Sequence, residues 1–181
     1  MRVVTSVLFC IAMAGVACGG DSGGAPTCAG TGCTCTDSAC ACVAGTDCKT
    51  ECGDNACSLN CTASSKCNGN STDALSVVCN DSSACKGIGG DASQVTCNAS
   101  SSCDFKLAAS AMAVCNTSAT CKLQVGVAST ITCTDSSNCN IKCDGNCRAT
   151  CVASADCSVT CGEAASPATV CSAGVYACGP C

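Results

Sequence analysis

Six cysteines fall at intervals of 18 residues: Cys61, Cys79, Cys97, Cys115, Cys133 and Cys151. Each is followed six residues later by another: Cys67, Cys85, Cys103, Cys121, Cys139 and Cys157. The third residue after every leading cysteine is serine: Ser64, Ser82, Ser100, Ser118, Ser136 and Ser154. A chain in this phase sets the same residue in the same environment once per repeat. It must therefore fold as a stack of equivalent coils, not around one central core.

The rest of the coil says which structure repeats. Eight residues after the leading cysteine stand Gly69, Gly87, Phe105, Leu123, Ile141 and Val159, and ten after it Ser71, Gly89, Leu107, Val125, Cys143 and Cys161. The places between are mostly polar, with Lys86, Lys106, Lys122 and Lys142 among them. Alternation in steps of two predicts a half-buried strand. Val77, Val95, Ala113, Ile131 and Ala149, each two residues before a leading cysteine, predict a second strand. The serine-rich segment between paired cysteines reads as a turn, since serine bonds its own backbone there. Asp73, Gly90-Asp91 and Asp144-Gly145 mark the opposite turn. Helix is a poor alternative: the apolar places step by two, and Thr, Ser, Asn, Val and Gly dominate. The expected fold is all-β, a disulfide-rich parallel β-solenoid with 18-residue coils, of a hand the sequence leaves open. Coils ~4.8 Å apart would make six of them a rod about 25–30 Å long.

The segment Thr132-Cys133-Thr134-Asp135-Ser136-Ser137-Asn138-Cys139, and less closely Thr96 to Cys103, resembles the T-C-T-x-S-x-x-C coil of beetle antifreeze β-solenoids. The likeness covers the eight-residue turn of each of six coils, and the coils here are longer than in that family. It implies bridges inside each coil: Cys61 with Cys67, Cys79 with Cys85, Cys97 with Cys103, Cys115 with Cys121, Cys133 with Cys139, and Cys151 with Cys157. It also implies a candidate flat binding face beside the leading cysteines, built from Thr62, Val78, Asn80, Thr96, Asn98, Val114, Asn116, Thr132, Thr134 and Thr150. Only the coil with Thr132 and Thr134 carries threonine on both flanks. The other flanks are Thr, Val or Asn, and such residues also suit an outward strand for their β-propensity alone.

The N-terminus carries a different signal. Residues 1–17 have one early arginine, an apolar run and small residues, which reads as a secretory signal peptide, too short to span a bilayer. Gly15-Val16-Ala17-Cys18, followed by a Gly/Ser/Asp tether, resembles the lipobox of bacterial lipoproteins, with Gly15 where that family usually has leucine. The resemblance implies lipidation of Cys18 and a membrane anchor; the same residues also fit ordinary signal peptidase cleavage after Ala17, which would leave Cys18 unlipidated.

 Parity bears on the choice. Removing Cys10 with the signal and Cys18 as the lipid carrier leaves 26 of the 28 cysteines, an even number, whereas an unlipidated Cys18 leaves one without a partner.

These signals divide the chain into a signal peptide (1–17), a lipidated cysteine and flexible tether (18–27), a cysteine-rich N-terminal cap with an irregular coil (28–60), a six-coil solenoid (61–170) and a cysteine-rich C-terminal cap (171–181). Cys42 and Cys48 keep the six-residue step, but 19 residues separate Cys42 from Cys61, so that coil holds one insertion. Cys52 and Cys57 stand roughly where Cys143 and Cys147 stand later, suggesting a second staple across both coils.

Composition narrows the function. With 28 Cys, no His, no Trp and 2% aromatics, the chain cannot bury a broad aliphatic core, so cross-links must offset the entropy of ordering it. The absence of histidine removes Ser-His and Cys-His nucleophiles and the commonest general base. No catalytic residue and no cofactor is expected. The regular six-residue step lacks the tight clustering that chelates soft metals, and export favours oxidation, so metal-thiolate binding is the least favoured reading and no metal ligand is assigned. Net charge is −5 and the cations are scattered singly along the chain, with no aromatic platform, so nucleic acid is not an expected partner. The expectation is a non-enzymatic lipoprotein, exported and anchored at the outer membrane or cell surface, serving as a structural or adhesive rod. Binding to ice or another crystal is the alternative, with a surface ligand or ice as the possible partner beside the membrane.

Overall fold

The computed structural model describes residues 24–181. The signal peptide and Cys18 lie outside the described residues. Within them there is no helix, and the strands form two sheets. Sheet A contains seven parallel strands: Asp47–Glu51, Lys66–Asn70, Ala84–Gly89, Ser102–Leu107, Thr120–Val125, Asn138–Cys143 and Asp156–Cys161. Sheet B contains seven more: Ala39–Cys42, Cys57–Cys61, Leu75–Cys79, Gln94–Cys97, Met112–Cys115, Ser129–Cys133 and Cys147–Cys151. The chain alternates between the sheets, and each pass lies beside the one before. This is a disulfide-bonded parallel β-solenoid with an 18-residue repeat.

Register follows the cysteines. Cys79 aligns with Cys61 and Cys97 in sheet B, and Cys121 with Cys103 and Cys139 in sheet A. The insertion between Cys42 and Cys61 falls in the wide turn, because Glu51 aligns with Asn70 and Cys57 with Leu75. Residues 52–56 thus span what 71–74 span in the next coil, and Gly53, at φ 60°, supplies the left-handed backbone there.

The other turn is tight and the same in every regular coil. Its two central residues are both left-handed, as in Ala99 (φ 50°) and Ser100 (φ 60°). The turn closes with a bond such as Ser101 N–H to Asn98 C=O at 3.1 Å, and the equivalent bonds of the other coils are 3.1–3.2 Å. Two successive positive φ values form the mirror-image turn that matches strand twist, a conformation usually given to Asn-Gly. Here the repeated serine occupies the second left-handed place and its side chain is exposed. Its backbone N–H reaches across to the next coil, Ser100 to Thr117 C=O at 3.0 Å and Ser118 to Asp135 C=O at 2.9 Å. The serine is thus a turn residue, but the bonds that fix it are made by its backbone between coils.

The interior is narrow. The paired cysteines line it beside Ser65, Ser83, Ser101 and Ser137, all buried one residue past the repeated serine. Large and small residues compensate across the gap. Sheet A offers Gly69 and Gly87 in the early coils, and sheet B fills that space with Leu59 and Leu75, both fully buried. Further along, Phe105 is buried on sheet A, while Ala113 on sheet B and Ala111 just before that strand are buried and small. Constant thickness requires this exchange, since strands of neighbouring coils must stay in register to keep their hydrogen bonds.

Both ends reverse polarity. Thr27–Ala29 runs antiparallel to Asp47–Glu51, and Cys33–Thr36 antiparallel to Ala39–Cys42. At the far end Val175–Cys178 covers Cys147–Cys151, and Ser166–Pro167 covers Asp156–Cys161, both antiparallel. Parallel stacking therefore takes in the coil of residues 39–60 and ends at Cys161, ahead of residue 171. These strands hide edges that would otherwise template another copy.

Candidate functional site

All 26 cysteines of the described residues are joined in 13 disulfides. Within the coils the structure joins Cys61 to Cys67, Cys79 to Cys85, Cys97 to Cys103, Cys115 to Cys121, Cys133 to Cys139 and Cys151 to Cys157. Each bridge closes the base of a tight turn. Cys52–Cys57 and Cys143–Cys147 span the wide turn near the two ends, and Cys161–Cys178 ties the C-terminal cap to the last coil. Sulfurs of successive coils approach closely: those of Cys97, Cys115 and Cys121 lie within 4.8 Å of one another. Held in disulfides, they are not thiolate ligands.

The ten residues of the candidate face lie together on the outside of sheet B. Val78, Thr96, Val114, Thr132 and Thr150 form one row in register, with Asn60 before them. Thr62, Asn80, Asn98, Asn116 and Thr134 form a second row just beyond the strands, continued by Val152. Strand pleating turns both rows outward. A third row on the same face is Ser58, Ser76, Gln94, Met112, Thr130 and Arg148. Sequence reasoning passed over this row, although the same step of two reaches it. Arg148 is the single charged residue in the three rows, so the face is nearly uncharged.

The second row is not a set of free polar groups. Asn98 Nδ2 donates to Asn80 Oδ1 at 3.0 Å, Asn116 Nδ2 to Asn98 Oδ1 at 3.0 Å, and Thr134 Oγ1 to Asn116 Oδ1 at 2.8 Å. Stacked amides of equal reach bond along the rod, because the repeat sets each directly above the last. Part of their bonding capacity is thereby used within the protein instead of facing an external lattice.

Chemistry elsewhere is sparse. The carboxyl of Glu51 is held below the usual carboxylate range, first by a hydrogen bond from Asn70 Nδ2 at 3.0 Å and then by the Lys49 ammonium at 3.0 Å. It stands on the outer face of sheet A, and among the described residues no second carboxylate faces it in a cleft. Comparison with protein-family models, curated proteins and solved structures returned no match.

Proposed function

We propose that this protein is a non-enzymatic structural or adhesive rod, exported and displayed at a cell surface through a lipid on Cys18. The observation that carries the reading is a stapled, end-capped rod with one face almost free of charge. A staple in every coil resists local unravelling, and caps at both ends limit growth into a fibre, which suits a rod exposed outside the cell. The lack of histidine supports the non-enzymatic part. Cys18→Ala tests the anchor: the variant should leave the membrane fraction or accumulate unprocessed, and unchanged partitioning would refute the lipoprotein reading. Intact mass before and after reduction adds lipid, disulfide count and any bound metal, and metal retained by the unreduced chain would favour the thiolate reading instead.

A second reading, binding to ice or another crystal, is favoured by the straight register of Val78, Thr96, Val114, Thr132 and Thr150. The asparagine ladder and the broken threonine pairs weigh against it. Val114→Lys and Thr132→Lys place a charge at the centre of the face without touching the core. On the preferred reading neither parent nor variants shows thermal hysteresis. Hysteresis in the parent that collapses in both variants would establish the second reading.

A further inference from the structure

The chain's six lysines, Lys49, Lys66, Lys86, Lys106, Lys122 and Lys142, are far apart in sequence. In the rod they all stand on the outer face of sheet A, one in each of six successive strands. With strands ~4.8 Å apart, they spread over about 25 Å of the rod in three staggered registers: Lys66 in one, Lys49, Lys86 and Lys122 in a second with Asp104 between the last two, and Lys106 and Lys142 in a third. Lys49, Lys66 and Lys122 have carboxylate partners in Glu51 (3.0 Å), Asp47 (3.9 Å) and Asp104 (3.4 Å). Lys86, Lys106 and Lys142 form no ion pair among the described residues. Solubility alone does not account for this placement, because sheet B exposes a comparable face with no lysine. Many acids sit instead on the turns, such as Asp73, Asp91, Asp81 and Asp135, in a chain of net charge −5. At one end a shallow trough of about 420 Å³ is bordered by Lys49, Lys66 and Lys86 together with Asp47 and Asp104.

We propose that sheet A binds a linear polyanion laid along the rod, specifically an extended polysaccharide with a carboxylate on each sugar. Lys106 and Lys142 stand in one register with only Gln124 between them and no carboxylate partner, and a chain of carboxylates supplies the opposite charge they lack. A flexible chain of carboxylates laid along the rod passes within reach of these lysines, whose long side chains can swing across the stagger. Lysine suits such a contact, being a mobile point charge that needs no bidentate geometry. The lysines share this face with Asp47, Glu51, Asp104 and Asp156. A planar anionic membrane would meet those carboxylates too, whereas a single chain can follow the lysines past them. The face has no aromatic on which nucleic-acid bases could stack. The proposal concerns sheet A alone and is independent of the anchor and of sheet B.

Binding of the mature full-length protein to immobilised polygalacturonate tests it, with methyl-esterified polymer and phosphatidylglycerol vesicles alongside. Saturable binding to the acidic polymer is expected at low salt, and about 0.5 M salt should suppress it by screening. The triple variant Lys86→Gln, Lys106→Gln, Lys142→Gln should bind at least about tenfold more weakly. Arg148→Gln, on the opposite sheet, should bind like the parent. All four side chains point outward, and circular dichroism checks that the variants stay folded. Absence of binding, equal binding to the esterified polymer, or full binding by the folded triple variant would overturn the proposal. Binding to the vesicles alone would overturn it in favour of a membrane surface.

Discussion

The side-chain amide of Asn116 donates to Oδ1 of Asn98, 18 residues earlier, at 3.0 Å, and Asn98 makes the same bond to Asn80. One sequence period thus becomes one rung of a ladder along the rod. Asn98 is its middle rung, accepting from one coil and donating to another. Asn98→Ala breaks both links, and a loss of about 1–2 kcal/mol in denaturant unfolding is expected. Asn140→Ala, on the outer face of sheet A and without a side-chain bond to another coil among the described residues, should change stability by less than about 0.5 kcal/mol. Equal effects would deny the ladder its energetic role.

The tight turn makes a prediction about backbone alone. Ser118 holds φ 61° and is exposed. Ser118→Val puts a β-branched residue in the left-handed region, at an expected cost of about 1–2 kcal/mol, while Ser118→Gly should be neutral or stabilising. A lower melting temperature for the glycine variant than for the valine variant would contradict this geometry.

Gly87 tests the spacing of coils. A Cβ there would strike the backbone carbonyl of Gly69 in the preceding coil, which no side-chain rotation relieves. Gly87→Ala should cost more than about 2 kcal/mol or prevent folding. At Gly69 the nearest obstacle is Cδ2 of Leu59 at 3.0 Å, a side chain that can turn, so Gly69→Ala should be milder. The two melting temperatures, measured side by side, check the order.

Reduction should unfold the rod. Each short-loop disulfide contributes about 2 kcal/mol, and little aliphatic core would remain without them. Circular dichroism should lose its β signal under a strong dithiol reductant. Thiol titration of the unreduced, denatured protein should find essentially no free cysteine, and several per chain would contradict the bonding described above.

Acid should weaken one contact in a defined direction. Because its folded pKa is lowered, Glu51 favours the folded state above the ordinary carboxylate range, and that contribution is lost as pH falls through the folded pKa. The carboxylate is well exposed, so its main readout is titration rather than stability. Asn70→Ala should return the Glu51 midpoint toward its ordinary value in an NMR titration. An unchanged midpoint would assign the shift to Lys49 alone.

The repeat made the fold legible in sequence. An unbroken 18-residue phase permits only stacked equivalent coils, and the step of two at places such as Phe105 and Leu107 identifies strands. The same step separates outward Val114 from inward Cys115. The caps were legible only as a crowding of cysteines, because their antiparallel pairing depends on which solenoid edge the chain folds back to cover.

By itself, then, the sequence determined the coil, its period, its two strands and the side of each strand that faces inward, because these follow from local periodicity. The tertiary structure decided what adjoins what between coils. It aligned Asn80, Asn98 and Asn116 into a bonded ladder, and it gathered lysines that look scattered along the chain onto one side of sheet A. The period alone sets Asn80, Asn98 and Asn116 in one row and Lys86, Lys106, Lys122 and Lys142 on the outer side of one strand, but not the amide bonds or the place of Lys49 among them. A solenoid turns a distance of one period into contact across a single strand spacing, and one residue of phase within the coil decides which face receives each side chain.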